Sequence, residues 1–103
     1  MVDTVAGDIA DAAQVAAVIG TDAESIFHLA AIVSAHAEED YDLGMRINLD
    51  GTRNVIEAAR AMPAPPKVVF ASSVAVYGGT NLPRTVTDET PITPQTSYGV
   101  AKA

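Results

Sequence analysis

The sequence predicts an α/β fold with a parallel sheet, and three observations support this prediction. The chain has 103 residues, of which 49% are apolar and 18% charged, so one small domain with a core is expected rather than disorder. Two short runs, 25–30 and 67–72, are continuously apolar at their centres, which is typical of strands buried on both faces. Helical patterns lie before, between and after these runs, and strands that alternate with helices form βαβ units.

The first part of the chain predicts one helix between two strands. Residues 4–7 are interpreted as the tail of a strand. Asp11 is a favourable helix N-cap, the alanine- and valine-rich run 12–19 follows it, and Gly20 is typical of a helix end. The run 25–30 is the second predicted strand.

A long amphipathic helix is predicted next. A loop follows the second strand and ends in the acidic triplet 38–40, which we expect to be a solvated helix start that suits the positive end of the helix dipole. Apolar residues then recur at steps of three and four from 41 to 62 and predict a shared face. That face consists of Tyr41, Met45, Leu49, Thr52, Ile56 and Ala59.

The remainder of the chain predicts a strand, a long loop and a helix. The apolar run 67–72 is the third strand. The loop 73–95 contains several glycines and prolines and is of a length that is usually functional. A helix begins after a cap at Thr96 or Ser97.

Composition excludes several classes of function. Thirteen acidic and six basic residues give a net charge of −7, which argues against a nucleic-acid partner. There is no cysteine for a disulfide, no apolar run of the roughly 20 residues that a membrane span needs, and no spacing of metal ligands. The first residues also lack the pattern of a signal peptide. We therefore expect a cytoplasmic protein with no metal and no membrane partner.

One pair of residues has the spacing of a proton-transfer site. Tyr98 and Lys102 are four residues apart, so a helix places both on one face. A phenol titrates near pH 10, and a nearby ammonium favours the phenolate that a general base requires. Taken alone, this pair is more often an ordinary surface pair. Ser72 and Ser73 lie where the third strand ends, which is where ligands bind in parallel sheets, although such hydroxyls also satisfy backbone groups.

Six segments resemble, in order and spacing, the extended short-chain dehydrogenase/reductase family of the NAD-dependent epimerase/dehydratase type. They are Gly7-Asp8-Ile9, His28-Leu29-Ala30-Ala31, Asn48-Leu49-Asp50-Gly51-Thr52, Ser72 to Gly78, Asp88 to Pro94 and Ser97 to Lys102. The segments 30–34, 38–46 and 93–99 resemble a narrower branch, that of the D-erythronate dehydrogenases. The resemblance implies an NAD(P)-dependent oxidoreductase that acts on a hydroxyl-bearing sugar or sugar acid and forms homodimers through its long helices.

The resemblance also implies a role for particular residues. Tyr98 would be the general base, Lys102 would assist it and hold the nicotinamide ribose, Ser73 would bind the substrate oxygen, and Asn48 would support Lys102. The implied cofactor-binding residues are Asp8, Ile9, Leu29, Ala30, Ala31, Asn48, Ala71, Ser72, Tyr98 and Lys102. The implied substrate-binding residues are Ser34, His36, Ser73, Val74 and Tyr98. His28 is interpreted as a core histidine with a hydrogen-bond partner.

The resemblance is incomplete in one respect. The family's glycine-rich turn, which binds the cofactor diphosphate at a helix N-terminus, has no counterpart here. We therefore expect residues 1–103 to be the central part of a Rossmann-type doubly wound parallel sheet, lacking the first βαβ unit and the C-terminal substrate lobe. The cofactor would be NAD, with NADP not excluded. The alternatives are a nucleotide-sugar epimerase with retained NAD and a non-catalytic cofactor-sensing or scaffold protein.

Overall fold

The computed structural model describes all residues from Met1 to Ala103. Two short strands, five α-helical segments, one π-helical segment and one 3-10 turn make up its regular structure. In chain order they are α1 (Ala12–Ile19), β1 (Ser25–His28), α2 (Ser34–Glu39), α3 (Tyr41–Gly44), the π segment (Met45–Asp50), α4 (Gly51–Arg60), β2 (Lys67–Phe70), the 3-10 turn (Val74–Val76) and α5 (Ser97–Lys102). None of these helices is both long enough and apolar enough to span a bilayer.

The two strands confirm the predicted parallel sheet. β1 pairs with β2 in register from Ser25 opposite Lys67 to His28 opposite Phe70. The connection between them contains α2, α3, the π segment and α4, so the unit is a βαβ crossover. The carboxyl ends of both strands therefore lie at the same edge of the sheet, at His28 and Phe70.

The predicted strand over residues 4–7 was wrong, because no strand forms before β1. A strand needs a hydrogen-bonding neighbour, and β1 pairs with β2 alone in this sheet. The two observed strands are also two residues shorter than predicted, since pairing ends at His28 and Phe70.

Local capping signals around α1 were predicted correctly. The Asp11 carboxylate accepts hydrogen bonds from the backbone amides of Ala13 and Gln14, at 3.0 and 3.1 Å. These bonds, led by those to Gln14, hold the pKa of Asp11 below its usual range. Gly20 ends the helix with a φ of 68°, a conformation that glycine adopts without a steric penalty.

The region between β1 and the long helix differs from the prediction. The expected loop contains α2, whose Ala37 is buried at 1% exposure. Ala37 lies against Gly44, because a Cβ built on Gly44 would be only 3.0 Å from the Cβ of Ala37. This close contact between small residues attaches α2 to the rest of the chain without large apolar side chains, and the sequence pattern therefore did not reveal the helix.

We call α3, the π segment and α4 together the central helix, which spans residues 41–60. It was predicted to extend as one α-helix to Met62, but it ends at Arg60, and its middle is π-helical. At the end of the π segment the Gly51 amide donates to the carbonyl of Arg46, five residues earlier. The wider turn changes which residues face inward, so a face drawn with uniform α-helical spacing does not apply.

The buried face of the central helix matches the predicted one only in part, since Ala59 is buried and Met45 and Thr52 are half-buried. Tyr41, Leu49 and Ile56 are exposed at 59%, 37% and 52%. The buried positions are instead small or polar for the most part: Gly44, Asn48, Gly51, Val55 and Ala59. The small residues let the helix backbone approach its neighbours closely, and the larger apolar side chains form a stripe on the outside.

Burial is limited elsewhere as well. Thirteen of the 103 residues are buried, and the apolar ones are Val15, Ala37, Val55, Ala59, Met62, Val76 and Ala101. Phe27 and Val69 in the strands remain 66% and 48% exposed. Strands this apolar normally have cover on both faces, so this sheet has apolar surface to bury against further structure.

Candidate active site

Lys102, one of the residues predicted for proton transfer, lies against the carboxyl end of β2. The Lys102 ammonium is buried at 3% exposure, donates to the carbonyl of Ala71 at 2.9 Å, and lies 4.8 Å from the centre of the Phe70 ring. Burial lowers the pKa of Lys102. The Ser72 hydroxyl donates in return to the Lys102 carbonyl at 2.7 Å. Two hydrogen bonds thus join the end of α5 to the end of β2.

A steric constraint fixes the middle of α5. Gly99 is buried, and a Cβ built on it would lie well inside the van der Waals contact distance of the Ala75 carbonyl oxygen. α5 therefore packs directly on the backbone of the 3-10 turn, which immediately follows Ser73. Tyr98 and Ser73 are both half-buried and lie on the two sides of this contact.

The side chain of Ser73 has one hydrogen bond in the structure. Its hydroxyl oxygen accepts from the amide of Ala75 at 3.1 Å and so caps the 3-10 turn. The hydroxyl proton is left to donate to another group. Ser73 therefore retains the donor that its predicted contact with a substrate oxygen requires.

Asn48 is the most completely buried large side chain, at 1% exposure. Its Oδ1 accepts from the amide of Ile32 at 2.9 Å, and its Nδ2 donates to the carbonyl of Ile32 at 3.1 Å. The side chain therefore satisfies both backbone groups of one residue in the segment after β1. Its hydrogen bonds go to Ile32 rather than to Lys102, and the support of Lys102 stays a prediction.

His28 belongs to a chain of hydrogen bonds that ends at Asn48. The Thr52 hydroxyl donates to the Asn48 carbonyl at 2.7 Å and contacts His28 Nε2 at 2.8 Å. Since the hydroxyl has one proton, which the carbonyl receives, His28 must donate from Nε2. Burial, followed by the charge of Lys102, lowers the pKa of His28, and its ring stacks on Phe70 at 5.6 Å. The interpretation of His28 as a hydrogen-bonded core histidine is confirmed.

The predicted adenosine-binding residues are held by the central helix. Asp8 pairs with Arg46 at 3.3 Å, and its other carboxylate oxygen accepts from the amide of Ala10 at 2.9 Å. The carbonyl of Ile9 accepts from Asn54 at 3.0 Å, and Gly51 lies close enough that a Cβ there would be 2.8 Å from Ile9 Cγ2. Arg46, Gly51 and Asn54 were not singled out from the sequence for this role.

An open cavity of about 410 Å³ adjoins these residues. Four of the predicted cofactor-binding residues line it: Asp8, Ile9, Leu29 and Ala30. It has an acidic hydrogen-bond acceptor at one side, Leu29 and the small side chain of Ala30 just after β1, and apolar walls from α1. These features fit the adenosine half of a dinucleotide.

The predicted substrate-binding residues lie at the same edge of the sheet. Ser34 begins α2, His36 is exposed on that helix, and Val74 is 87% exposed at the start of the 3-10 turn. Ala31 is exposed in the segment between β1 and α2. The structure brings α2, the 3-10 turn and α5 together, but the roles of these side chains remain predictions.

The expectation that the acidic triplet 38–40 is a solvated helix start is correct for Asp40 alone, because Glu38 and Glu39 are the last two residues of α2. Asp40 caps α3 through the amide of Leu43, at 3.0 Å, as a helix start should. Glu38 instead reaches α5, where its Oε1 accepts from the Ser97 hydroxyl at 2.6 Å and from the Tyr98 amide at 3.1 Å. These bonds lower the pKa of Glu38. The contact joins residues 60 positions apart, and no local pattern could have indicated it.

Comparison with known proteins shows the family of this chain. Residues 2–103 match the NAD dependent epimerase/dehydratase family, and the chain belongs to it. The fold is the Rossmann-type fold predicted from the sequence, and the family's cofactor is the predicted nicotinamide dinucleotide.

Three relatives show how similar the chain is to individual proteins. The chain is 53% identical over 102 residues to D-erythronate dehydrogenase of Cupriavidus necator, which covers 99% of this chain and 31% of the relative. It is similar to the crystal structure of a nucleoside-diphosphate-sugar epimerase of Agrobacterium tumefaciens, with a TM-score of 0.83 and 45% identity over 93% of this chain and 29% of that one. It is also similar to Thermus thermophilus UDP-glucose 4-epimerase in complex with NAD, with a TM-score of 0.81 and 29% identity over 93% of this chain and 32% of that one.

The chain thus spans less than a third of the length of these relatives and about a third of the NAD complex. We use "full-length protein" below for a polypeptide of the relatives' length that carries these 103 residues at the matching position.

A substitution at Gly99 would change stability through two opposing effects, helix propensity and overpacking against Ala75. Gly99→Ala would favour the helix by roughly 1 kcal/mol on intrinsic propensity alone. The new Cβ would meet the Ala75 carbonyl, and overpacking of this kind costs about 1–3 kcal/mol, so we expect net destabilisation. Urea denaturation of the full-length protein measures the difference. Asn81→Ala, at an exposed position of the loop 73–95, is the control and should change stability little. Unchanged or increased stability of Gly99→Ala would contradict the observed packing.

Proposed function

We propose that the full-length protein is a cytoplasmic NAD(P)-dependent dehydrogenase of a hydroxyl-bearing sugar acid, with D-erythronate as the first substrate to test. The observation that carries this proposal is the attachment of α5, the helix that contains Tyr98 and Lys102, to Ala71 and Ser72, the two residues before Ser73. The 53% identity to a D-erythronate dehydrogenase, over nearly the whole chain, supports the substrate class.

The proposed mechanism assigns proton handling to this chain's own residues. Ser73 donates its free hydroxyl proton in a hydrogen bond to the substrate oxygen and orients it. Tyr98 takes the proton of the substrate hydroxyl as the carbon–oxygen double bond forms. NAD, when bound, supplies the acceptor for the hydride that leaves the same carbon. General base catalysis of this kind contributes about 10²–10⁴-fold to the rate.

Lys102 is suited to a supporting role in this mechanism. Its ammonium uses one of three N–H donors on the Ala71 carbonyl, so two donors remain for a cofactor ribose or for Tyr98. Its burial means that its charge is weakly screened by water and acts strongly on nearby groups.

A second candidate function is epimerisation of a nucleotide sugar with retained NAD. It is supported by the similarity to the Agrobacterium tumefaciens and Thermus thermophilus epimerases, at 45% and 29% identity. The higher identity to D-erythronate dehydrogenase favours the dehydrogenase. A non-catalytic role is disfavoured because Ser73, Tyr98 and Lys102 are all present. Net reduction of NAD with a sugar acid would separate the dehydrogenase from both alternatives.

Tyr98→Phe tests the assigned base. The substitution removes the phenol oxygen and keeps the ring, so we expect the full-length protein to lose at least about 100-fold in kcat while its affinity for NAD changes little. Steady-state kinetics with D-erythronate, together with a cofactor titration, measure both quantities. Tyr77→Phe, another half-buried tyrosine near the same loop, is the matched control. Retention of more than about a tenth of the wild-type kcat would exclude Tyr98 as the general base.

The 103-residue chain alone is predicted to be inactive and marginally folded. Few of its residues are buried, and its strands expose Phe27 and Val69. The glycine-rich turn that binds the dinucleotide diphosphate in the family is absent from it. We expect no NAD binding in the micromolar range by isothermal titration and a broad thermal unfolding transition. Micromolar binding together with a sharp cooperative transition would show that these residues form a self-sufficient domain.

We also propose that the full-length protein is a homodimer formed through the central helix and α5. Tyr41, Ile56 and Val100 lie on these helices at 52–59% exposure, and such apolar surface favours association. We expect a dimer at micromolar concentration in sedimentation experiments. Ile56→Glu should shift it toward monomer, whereas Val86→Glu, at a 43% exposed loop position, should not. A monomeric wild-type protein would disprove the proposal.

A further inference from the structure

We propose that Glu38 is a positioning residue for Tyr98, an inference that rests on the proposed function because Tyr98 is its general base. The Glu38 carboxylate accepts two hydrogen bonds from the first turn of α5. One comes from the Ser97 hydroxyl at 2.6 Å, and the other comes from the backbone amide of Tyr98 itself at 3.1 Å.

The amide of Tyr98 needs an acceptor from outside its helix. The first amides of an α-helix have no partner within the helix. In α5 the amide of Gly99 donates to the Thr96 hydroxyl at 3.0 Å, and the amide of Val100 donates to the Thr96 carbonyl at 3.0 Å. Glu38 supplies the acceptor that Thr96 does not, and its negative charge lies near the positive end of the helix.

The backbone that carries Glu38 is itself fixed. Its neighbour Ala37 is buried at 1% exposure and packs against Gly44 at the start of the central helix. The segment that leads into α2 is held where Asn48 bonds to Ile32. Glu38 therefore connects α5 to the same helix that holds the predicted adenosine-binding residues.

α5 is thereby held at both ends. At its end, Lys102 bonds to Ala71 and Ser72, which are at the carboxyl end of β2. At its start, Tyr98 bonds to Glu38. Without Glu38 the Tyr98 amide and the Ser97 hydroxyl would lose their acceptor, and the phenol would sample a wider range of positions relative to Lys102 and Ser73. A misplacement of about 1 Å can lower a rate by about 100-fold.

The test compares three variants of the full-length protein. Glu38→Ala removes both hydrogen bonds, and we expect kcat with D-erythronate to fall about 10-fold or more while KM for NAD stays within about twofold. Glu38→Gln keeps an oxygen acceptor and should retain most of the activity. Glu39→Ala is the matched control, because Glu39 is exposed in the same helix and makes no side-chain hydrogen bond. If Glu38→Ala does not fold, Glu38→Asp, whose carboxylate is too short to keep both bonds, takes its place.

Two further measurements separate positioning from general stability. The primary deuterium isotope effect on kcat should rise in Glu38→Ala, since proton and hydride transfer become slower than product release. Hydrogen exchange in the peptide 96–103 should become faster in Glu38→Ala and remain unchanged in Glu38→Gln and Glu39→Ala. Wild-type kcat in Glu38→Ala, or unchanged exchange in that peptide, would overturn the proposal.

The exchange measurement is independent of the substrate. If the wild-type protein oxidises no sugar acid, the proposed function fails, and exchange in the peptide 96–103 still decides whether Glu38 fixes the start of α5. If the wild type is active and Glu38→Ala is equally active, the proposed function stands and the role of Glu38 is disproved.

Discussion

The burial of Asn48 is the constraint on which the orientation of the central helix, and the contacts of that helix with its neighbours, depend. An amide side chain without partners in such a site would cost about 1–3 kcal/mol, and here both of its polar atoms bond to Ile32. This pairing fixes the rotation of the helix about its axis. That rotation in turn directs Thr52 to His28 at the end of β1 and Asn54 to the carbonyl of Ile9.

The π segment explains how one helix can contact several separate segments of the chain at once. A uniform α-helix would repeat its faces every 3.6 residues, whereas the wider turn between Met45 and Asp50 offsets the residues before it from those after it. Arg46 can then reach Asp8 while Asn48 faces Ile32. π-helical turns are frequent at functional sites, and this one lies between the predicted adenosine-binding residues and α5.

Features set by neighbouring residues were predictable from the sequence, and features set by distant ones were not. The Asp11 cap, the end of α1 at Gly20 and the cap at Thr96 depend on adjacent residues and were correct. The family motifs also placed Tyr98, Lys102 and Ser73 at one edge of the sheet. The contact of Glu38 with α5 depends on packing between segments 60 residues apart. The buried face of the central helix was predicted only in part, because periodicity cannot reveal a π-helical turn.

Small residues at the helix contacts explain both the close packing of α5 and the exposure of the larger apolar side chains. Gly99 lies on the carbonyl of Ala75 and Gly44 lies on Ala37, so backbone meets backbone with little side chain between them. Such contacts leave few rotamers to vary, and they fix α5 more tightly than contacts between long side chains would. The larger apolar residues, such as Ile56, are consequently left outside, at 52% exposure. The small residues at the buried contacts therefore hold the proposed base in place. They also leave the larger apolar side chains on the surface, where the chain would pack against further structure.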